Sequence, residues 1–185
     1  ERRVGGTGDG PKWVCDPHRI DPKRCLVYSV GSNNDFSFEE SVLREVSESC
    51  EIHTFDPTVG PNPSNKPDRV NFHPWGLAAD NFVRGGQTFK TMKQIVKELG
   101  HEKRAIDVFK VDCEGCEWET YTGWFGLGVD VRQVQVELHE GTHKSNGSIE
   151  PVADRFFTHL QDLGYVIFHK EPNTYGCRGD CIEYA

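Results

Sequence analysis

The sequence predicts an α/β fold: a mainly parallel sheet, covered by helices on both faces, with one antiparallel strand at its end. Three observations carry this. Compact apolar runs such as CLVYSV (25–30) and AIDVFKV (105–111) read as strands buried on both sides. Stretches with helical spacing, SFEESVLREVSES (37–49) and TFKTMKQIVKELG (88–100), alternate with them, which is the pattern of strand–helix–strand units. The last two apolar runs, YVIFH (165–169) and CIEYA (181–185), are separated by a turn region in place of a helix, so they read as a hairpin.

Taken in order, residues 1–24 are rich in Gly, Pro and charge and read as an irregular arm, with Trp13 and Val14 as its apolar anchors. Residues 25–185 read as a single domain. Its first strand stops at Gly31. The helix that follows carries Phe38, Val42 and Val46 on one face. Ser37 stands as N-cap, with Glu40 three residues on completing a capping box. EIHTF (51–55) is the second strand, and the proline-punctuated TVGPNPSNKPD (58–68) is a loop. RVNFH (69–73) is the third strand. The helix over 88–100 presents Phe89, Met92, Ile95, Val96 and Leu99 and ends at Gly100. VRQVQVELH (131–139) is a fifth strand, and PVADRFFTHLQDLG (151–164) a helix with Pro151 early and Gly164 last.

Of the 185 residues 36% are hydrophobic and 27% charged, as in globular proteins. A net charge of -8 argues against a nucleic-acid partner, because binding phosphate needs a basic face. No apolar run approaches the roughly 18 residues that would span a membrane. The chain starts at Glu1 without a signal-peptide pattern, which leaves an upstream leader or anchor open. Seven cysteines and the glycosylation acceptor Asn146-Gly147-Ser148 favour the secretory pathway over the cytoplasm.

In open α/β sheets ligands bind beyond the carboxyl ends of the strands, at the switch point beside the first strand. That position gathers GSNND (31–35), DPT (56–58), PWGLA (74–78), DCEG (112–115) and EGTH (140–143). Asp56 lies near the spacing at which an acid takes the ribose hydroxyls of a nucleoside. Gly31 has no second glycine near it, and no phosphate-binding glycine loop is present. A nucleoside ligand without phosphates, on such a sheet, suggests S-adenosylmethionine. The missing glycines weigh against a nicotinamide oxidoreductase. Two cysteine pairs, Cys113-x-x-Cys116 and Cys177-x₃-Cys181, admit a zinc or thiol module as a rival.

VYSVGSNNDFSFE, HTFDPT, FHPWGLA, FKVDCEGCEWE and VQVELH, in that order, resemble the FkbM-type S-adenosylmethionine-dependent methyltransferases. The lead-in GDGPKWVCDP (8–17) is similar to that of the eukaryotic methyltransferase-like group. The resemblance implies a Rossmann-like class I methyltransferase fold with seven strands, the last antiparallel. It implies a cofactor site at Gly31, Ser32, Asn33, Asn34, Phe36 and Ser37, with Asp56 and Pro57 at the ribose, Gly76 and Leu77 near the adenine, and Asp112 and Cys113 beside them. It also implies O-methyl transfer, with a sugar or glycan hydroxyl as acceptor.

Such a hydroxyl needs a base. His139 and Glu137, two apart on one strand and so on one face, are the candidates, with Asp112 and Glu114 orienting cofactor and acceptor. A divalent cation held by Asp112, Glu137 and His139 is the alternative way to acidify it. Glu117 and Glu119 read as a solvated helix face, and Trp75 and Trp118 as core. A catalytically inactive binding domain on the same fold is the remaining rival.

Overall fold

A computed structural model describes residues 1–6, 10–139, 150–172 and 182–184. The strands are β1 (Arg2–Val4), β2 (Lys12–Val14), β3 (Leu26–Val30), β4 (Glu51–Phe55), β5 (Val70–His73), β6 (Trp75–Leu77), β7 (Phe82–Arg84), β8 (Gln87–Lys90), β9 (Ala105–Ile106), β10 (Val108–Val111), β11 (Asp130–Val131), β12 (Val134–Leu138), β13 (Lys170–Glu171) and β14 (Ile182–Tyr184). The helices are α1 (Ser37–Glu45), α2 (Met92–Leu99), α3 (Glu117–Thr120) and α4 (Glu150–Asp162).

The central sheet runs β13-β14-β12-β10-β3-β4-β5. Its body is the five strands from β12 to β5, all parallel. These are the buried apolar runs: every residue of β3, β10 and β12 is buried. β14 pairs antiparallel with β12, and β13 with β14. Seven full strands are therefore not what the chain builds, since these last two pairings are two or three residues long. YVIFH is not a strand at all: pairing begins only at Lys170, and Val166 and Ile167 are 83% and 59% exposed. Apolar residues alone do not make a strand without a neighbour to bond.

One sheet face packs under α2, α3 and α4, through Leu26, Tyr28, Phe55, Phe109, Ile95, Trp118, Trp124 and Phe156. The other packs under α1 and the N-terminal hairpin, through Val27, Ile52, Val70, Val108, Phe38, Val42, Val4 and Val14. Two stretches of the expected irregular arm, Arg2–Val4 and Lys12–Val14, are thus strands. β1 and β2 pair antiparallel and lay Val4 and Val14, both fully buried, on the sheet. Burying each such side chain contributes about 1.5–3 kcal/mol.

Three further readings change. Ser37 does not cap α1. It is the first helical residue, and its N–H donates to Asp35 Oδ1 at 2.9 Å. The helix ends at Glu45, short of 49. The stretch 87–90 is a strand, so α2 starts later than its apolar spacing suggests, at a Thr91 cap whose side chain accepts from the Gln94 N–H. Trp75–Leu77 is likewise a strand, parallel to β8 in a small separate sheet. The predicted strands over 105–111 and 131–139 are each interrupted, because Ile106 and Val131 pair with each other apart from the main sheet.

Cys25 and Cys50 form a disulfide across the start of β3 and β4, closing 25 residues of chain. A loop of that length confers about 3.5 kcal/mol on the chain-entropy account. The Cys25→Ala/Cys50→Ala double variant is expected to unfold at correspondingly lower urea, which equilibrium denaturation followed by circular dichroism measures. No helix among the described residues is long and apolar enough to cross a membrane.

Candidate functional site

β3 is where the strand order reverses: β4 and β5 lie to one side, β10 and β12 to the other. The carboxyl ends of β3 and β10 are level, with Val30 opposite Val111. Gly31 and Asp112 therefore leave the sheet side by side. Gly31 has φ +83°, and a Cβ there would stand 1.6 Å from the Asp112 carbonyl oxygen. Only glycine fits.

Beyond these ends lies a cavity of about 610 Å³, within the usual range for a small-molecule site. Gly31, Ser32, Asn33, Ser37, Asp56, Pro57, Gly76, Leu77, Asp112, Cys113 and Glu114, all expected at a site, line it. Asn34 and Phe36 do not. Asn34 is exposed, its carbonyl accepting from Asn65, and Phe36 is buried against α1's core. At Gly76 the packing is again tight, since a Cβ would lie 2.5 Å from the Phe89 ring.

Asp56 shapes this cavity. Its Oδ2 accepts from the N–H groups of Ser32 (2.9 Å) and Asn33 (2.7 Å) and from Ser32 Oγ (3.2 Å). Its Oδ1 accepts from the N–H and hydroxyl of Thr58 at 2.8 and 2.6 Å. Burial pushes its pKa up, but these donors outweigh it and hold the carboxyl below its ordinary range. These five donors hold Asn33, with φ +46°, in a left-handed turn beside the cavity. Asp35 and Glu39 are further carboxylates lining that wall.

At the other end of Asp112 stands an acid cluster around His139. Its Nε2 lies 3.8 Å from carboxylate oxygens of Asp112, Glu114 and Glu137. Its Nδ1 is 3.1 Å from Glu117 Oε1, which also accepts the His139 N–H at 2.8 Å. Glu117 Oε2 accepts the Gly115 N–H at 3.0 Å. Burial works against a charged imidazole, but Glu117, Glu114 and Asp112 more than offset it and raise the His139 pKa to about 9. A pKa at that level favours the imidazolium at neutral pH, so service as the base that the sequence suggests calls for loss of that proton first.

Glu117 was expected on a solvated face and is fully buried, because the α3 helix is one turn long and turns its first residue inward. Glu119 is exposed as expected, and Trp118 is core, its Nε1 donating to the His139 carbonyl at 2.9 Å.

Two lysines complete the site, and sequence reasoning passed over both. Lys12 reaches from β2 through the core to Glu137 Oε2 (3.1 Å) and Asp112 Oδ2 (3.6 Å). Lys110 donates to the Gly31 carbonyl at 2.7 Å and lies 3.6 Å from Asp112 Oδ2. Burial would raise the Asp112 pKa; Lys110, Lys12 and His139 together lower it. A lysine between Phe109 and Val111 in a buried run was a visible signal, since a buried cation needs an anion. Lys12, on a stretch read as irregular, offered none.

Cys113 and Cys116 are bonded to each other, so the first half of the zinc-module reading has no thiolate to offer. Cys177, Cys181, Asn146 and the 140–143 loop lie outside the described residues. Cys15 is a free thiol among the described ones.

Over residues 1–185 the chain matches the family described as "Methyltransferase domain". It is 27% identical over 166 residues to "Probable methyltransferase-like protein 24" of Rattus norvegicus, covering 82% of this chain and 44% of that one. The chain thus spans less than half the length of this relative. With the cavity at the switch point and the match over its whole length, the chain belongs to the methyltransferase-domain family.

Proposed function

We propose that the chain is an FkbM-type S-adenosylmethionine-dependent O-methyltransferase acting on a sugar or glycan hydroxyl. The observation that carries this is the cavity between Gly31 and Asp112, flanked by a histidine that a buried glutamate holds in place. The cavity suits a nucleoside: it is bordered by Gly31, Gly76 and Leu77 and has no glycine-rich phosphate cradle. Bound there, S-adenosylmethionine supplies an activated methyl on its sulfonium.

The residues then divide the work. Gly31, Ser32, Asn33, Ser37, Pro57, Gly76, Leu77 and Cys113 form the cofactor walls, and Asp56 sets their shape. Asp112 and Glu114, which line the cavity, would offer negative charge to a bound sulfonium. His139 keeps Nδ1 on Glu117 and turns Nε2 towards Asp112, the side from which an acceptor proton is taken. Its pKa falls when positive charge enters the adjoining cavity, because like charge disfavours the imidazolium. Glu137, paired with Lys12, fixes the floor of this cluster. The acceptor's alignment with the methyl supplies the remainder by proximity.

A second reading places a divalent cation on Asp112, Glu114 and His139, whose ligand atoms lie within 4.8 Å of one another. Chelator sensitivity of turnover distinguishes the two. The paired cysteines suit an oxidising compartment, and we place the protein in the secretory pathway.

Calorimetric titration with S-adenosylmethionine and, in parallel, NAD is the test. Binding of the first alone, followed by methyl transfer to a free or protein-linked glycan, is expected. Binding of neither overturns the reading, and binding without transfer to any acceptor favours an inactive binding domain.

A further inference from the structure

A second cluster of ligating side chains lies on the α2 side of the sheet, outside the residues that line the cavity. Glu51 and His53 are two apart on β4 and share a face. His101 follows Gly100, whose left-handed φ of +72° ends α2 and turns the chain back over that face. His53 Nε2 lies 3.0 Å and His101 Nε2 3.1 Å from the same oxygen, Glu51 Oε1. All three ligand atoms lie within 4.8 Å of one another.

The second nitrogen of each ring has its own partner. His53 Nδ1 is 2.9 Å from His73 Nε2, and His101 Nδ1 is 2.7 Å from the Tyr28 hydroxyl. The other Glu51 oxygen pairs with Arg104. Ligating histidines in metal sites are oriented in this way, by a hydrogen bond on the distal nitrogen. The spacing fits as well. Two ligands about 2.0–2.1 Å from a tetrahedral zinc ion stand about 3.3 Å apart, close to the 3.0 and 3.1 Å between each imidazole nitrogen and the glutamate oxygen. The imidazoles are 8% and 6% exposed, while Glu51 is 38% exposed, so an ion has an entry path and room for a water as fourth ligand.

We propose that Glu51, His53 and His101 form a zinc site that clamps the turn after α2 onto β4, with Tyr28 and His73 orienting the two imidazoles. A neutral imidazole carries one ring proton, so zinc binds each Nε2 in the tautomer that keeps that proton on Nδ1, facing Tyr28 or His73. This needs no change of backbone.

The test uses the full chain, stripped with chelator and titrated with Zn²⁺ alone by calorimetry. One ion per chain is expected. His53→Gln and His101→Gln should each weaken it about 100-fold or more, and Tyr28→Phe about 10-fold, the range for an orienting partner. His139→Gln should leave it unchanged. Binding that survives both histidine substitutions, or that vanishes with His139→Gln, overturns the proposal. Should a histidine variant not fold, Co²⁺ on the unaltered chain decides. Tetrahedral visible bands without sulfur-to-cobalt charge transfer support the site, whereas octahedral bands or a thiolate band overturn it. None of these readouts depends on methyl transfer.

Discussion

Replacing Gly31 with alanine is expected to abolish cofactor binding and to destabilise the fold. A left-handed φ costs an L-residue about 1–2 kcal/mol. The added Cβ, 1.6 Å from the Asp112 carbonyl oxygen, also has to part the ends of β3 and β10. Overpacking of this kind costs about 1–3 kcal/mol more. Together they lower the melting temperature by roughly 5–15 °C in a domain of this size. The same displacement opens the cavity wall, so affinity for S-adenosylmethionine should fall by about 100-fold or more, as some 3 kcal/mol of misfit requires. Thermal melts and calorimetric titration measure both. Gly60→Ala is the control, since a Cβ there meets nothing within 4 Å. Equal behaviour of the two variants would remove Gly31 from the site.

The second large effect belongs to Glu117. It is fully buried and accepts from His139 N, His139 Nδ1 and Gly115 N. Glu117→Ala leaves a charged imidazole without its nearest counter-charge and two N–H groups without acceptors, a loss of about 3–5 kcal/mol. Glu117→Gln keeps the shape and is the variant for kinetics. In the native protein His139, with a pKa of about 9, is roughly 1% deprotonated at pH 7. As the base, it makes kcat/KM, which reports the free enzyme, climb tenfold per pH unit from 7 and level off above about 9. Glu117→Gln moves that inflection towards neutral pH, because the hydrogen bond and charge of Glu117 raise the pKa. A profile that is flat between pH 7 and 9 would exclude His139 as the base.

Stability follows the opposite course. A folded pKa raised above the unfolded 6.5 gives a contribution that is fully present below pH 6.5 and is lost as pH rises through about 9. Melting temperature should therefore drop between pH 7 and 10 in the native chain, and drop less in Glu117→Gln.

The body of the sheet was legible because β3, β4, β10 and β12 are dense in Val, Ile, Leu and Phe, and buried parallel strands are written that way. The cavity was legible for a related reason. Once the strands are placed, Gly31, Asp56 and Asp112 have to sit at their ends. The misread elements depend on long-range partners that local spacing does not show. β1 and β2 are strands because they pair with each other over the sheet, and 165–169 is not one because it lacks such a pairing. The same holds for charge. Glu117 looks like a surface acid until His139 lies against it, and nothing in the local sequence shows that Asp56 collects donors from Ser32 and Asn33, over 20 residues away, as well as from Thr58.

The reach of Lys12 has a practical corollary for where this domain can be cut. A fragment beginning at Cys25 looks natural on the page, since the first strand of the sheet opens there. It would uncover Val27, Ile52 and Val108, which now lie in one cluster with Val4 and Val14, and would strip Trp13 from its stack on His169. It would also withdraw a positive charge from beneath Glu137 and Asp112. The trimmed piece would then expose sticky apolar sheet and carry an acid-rich pocket tuned to a different pH. A minimal soluble version should keep residues from Arg2 onward, and inactivity of a shorter one would say nothing about the chemistry of the intact chain.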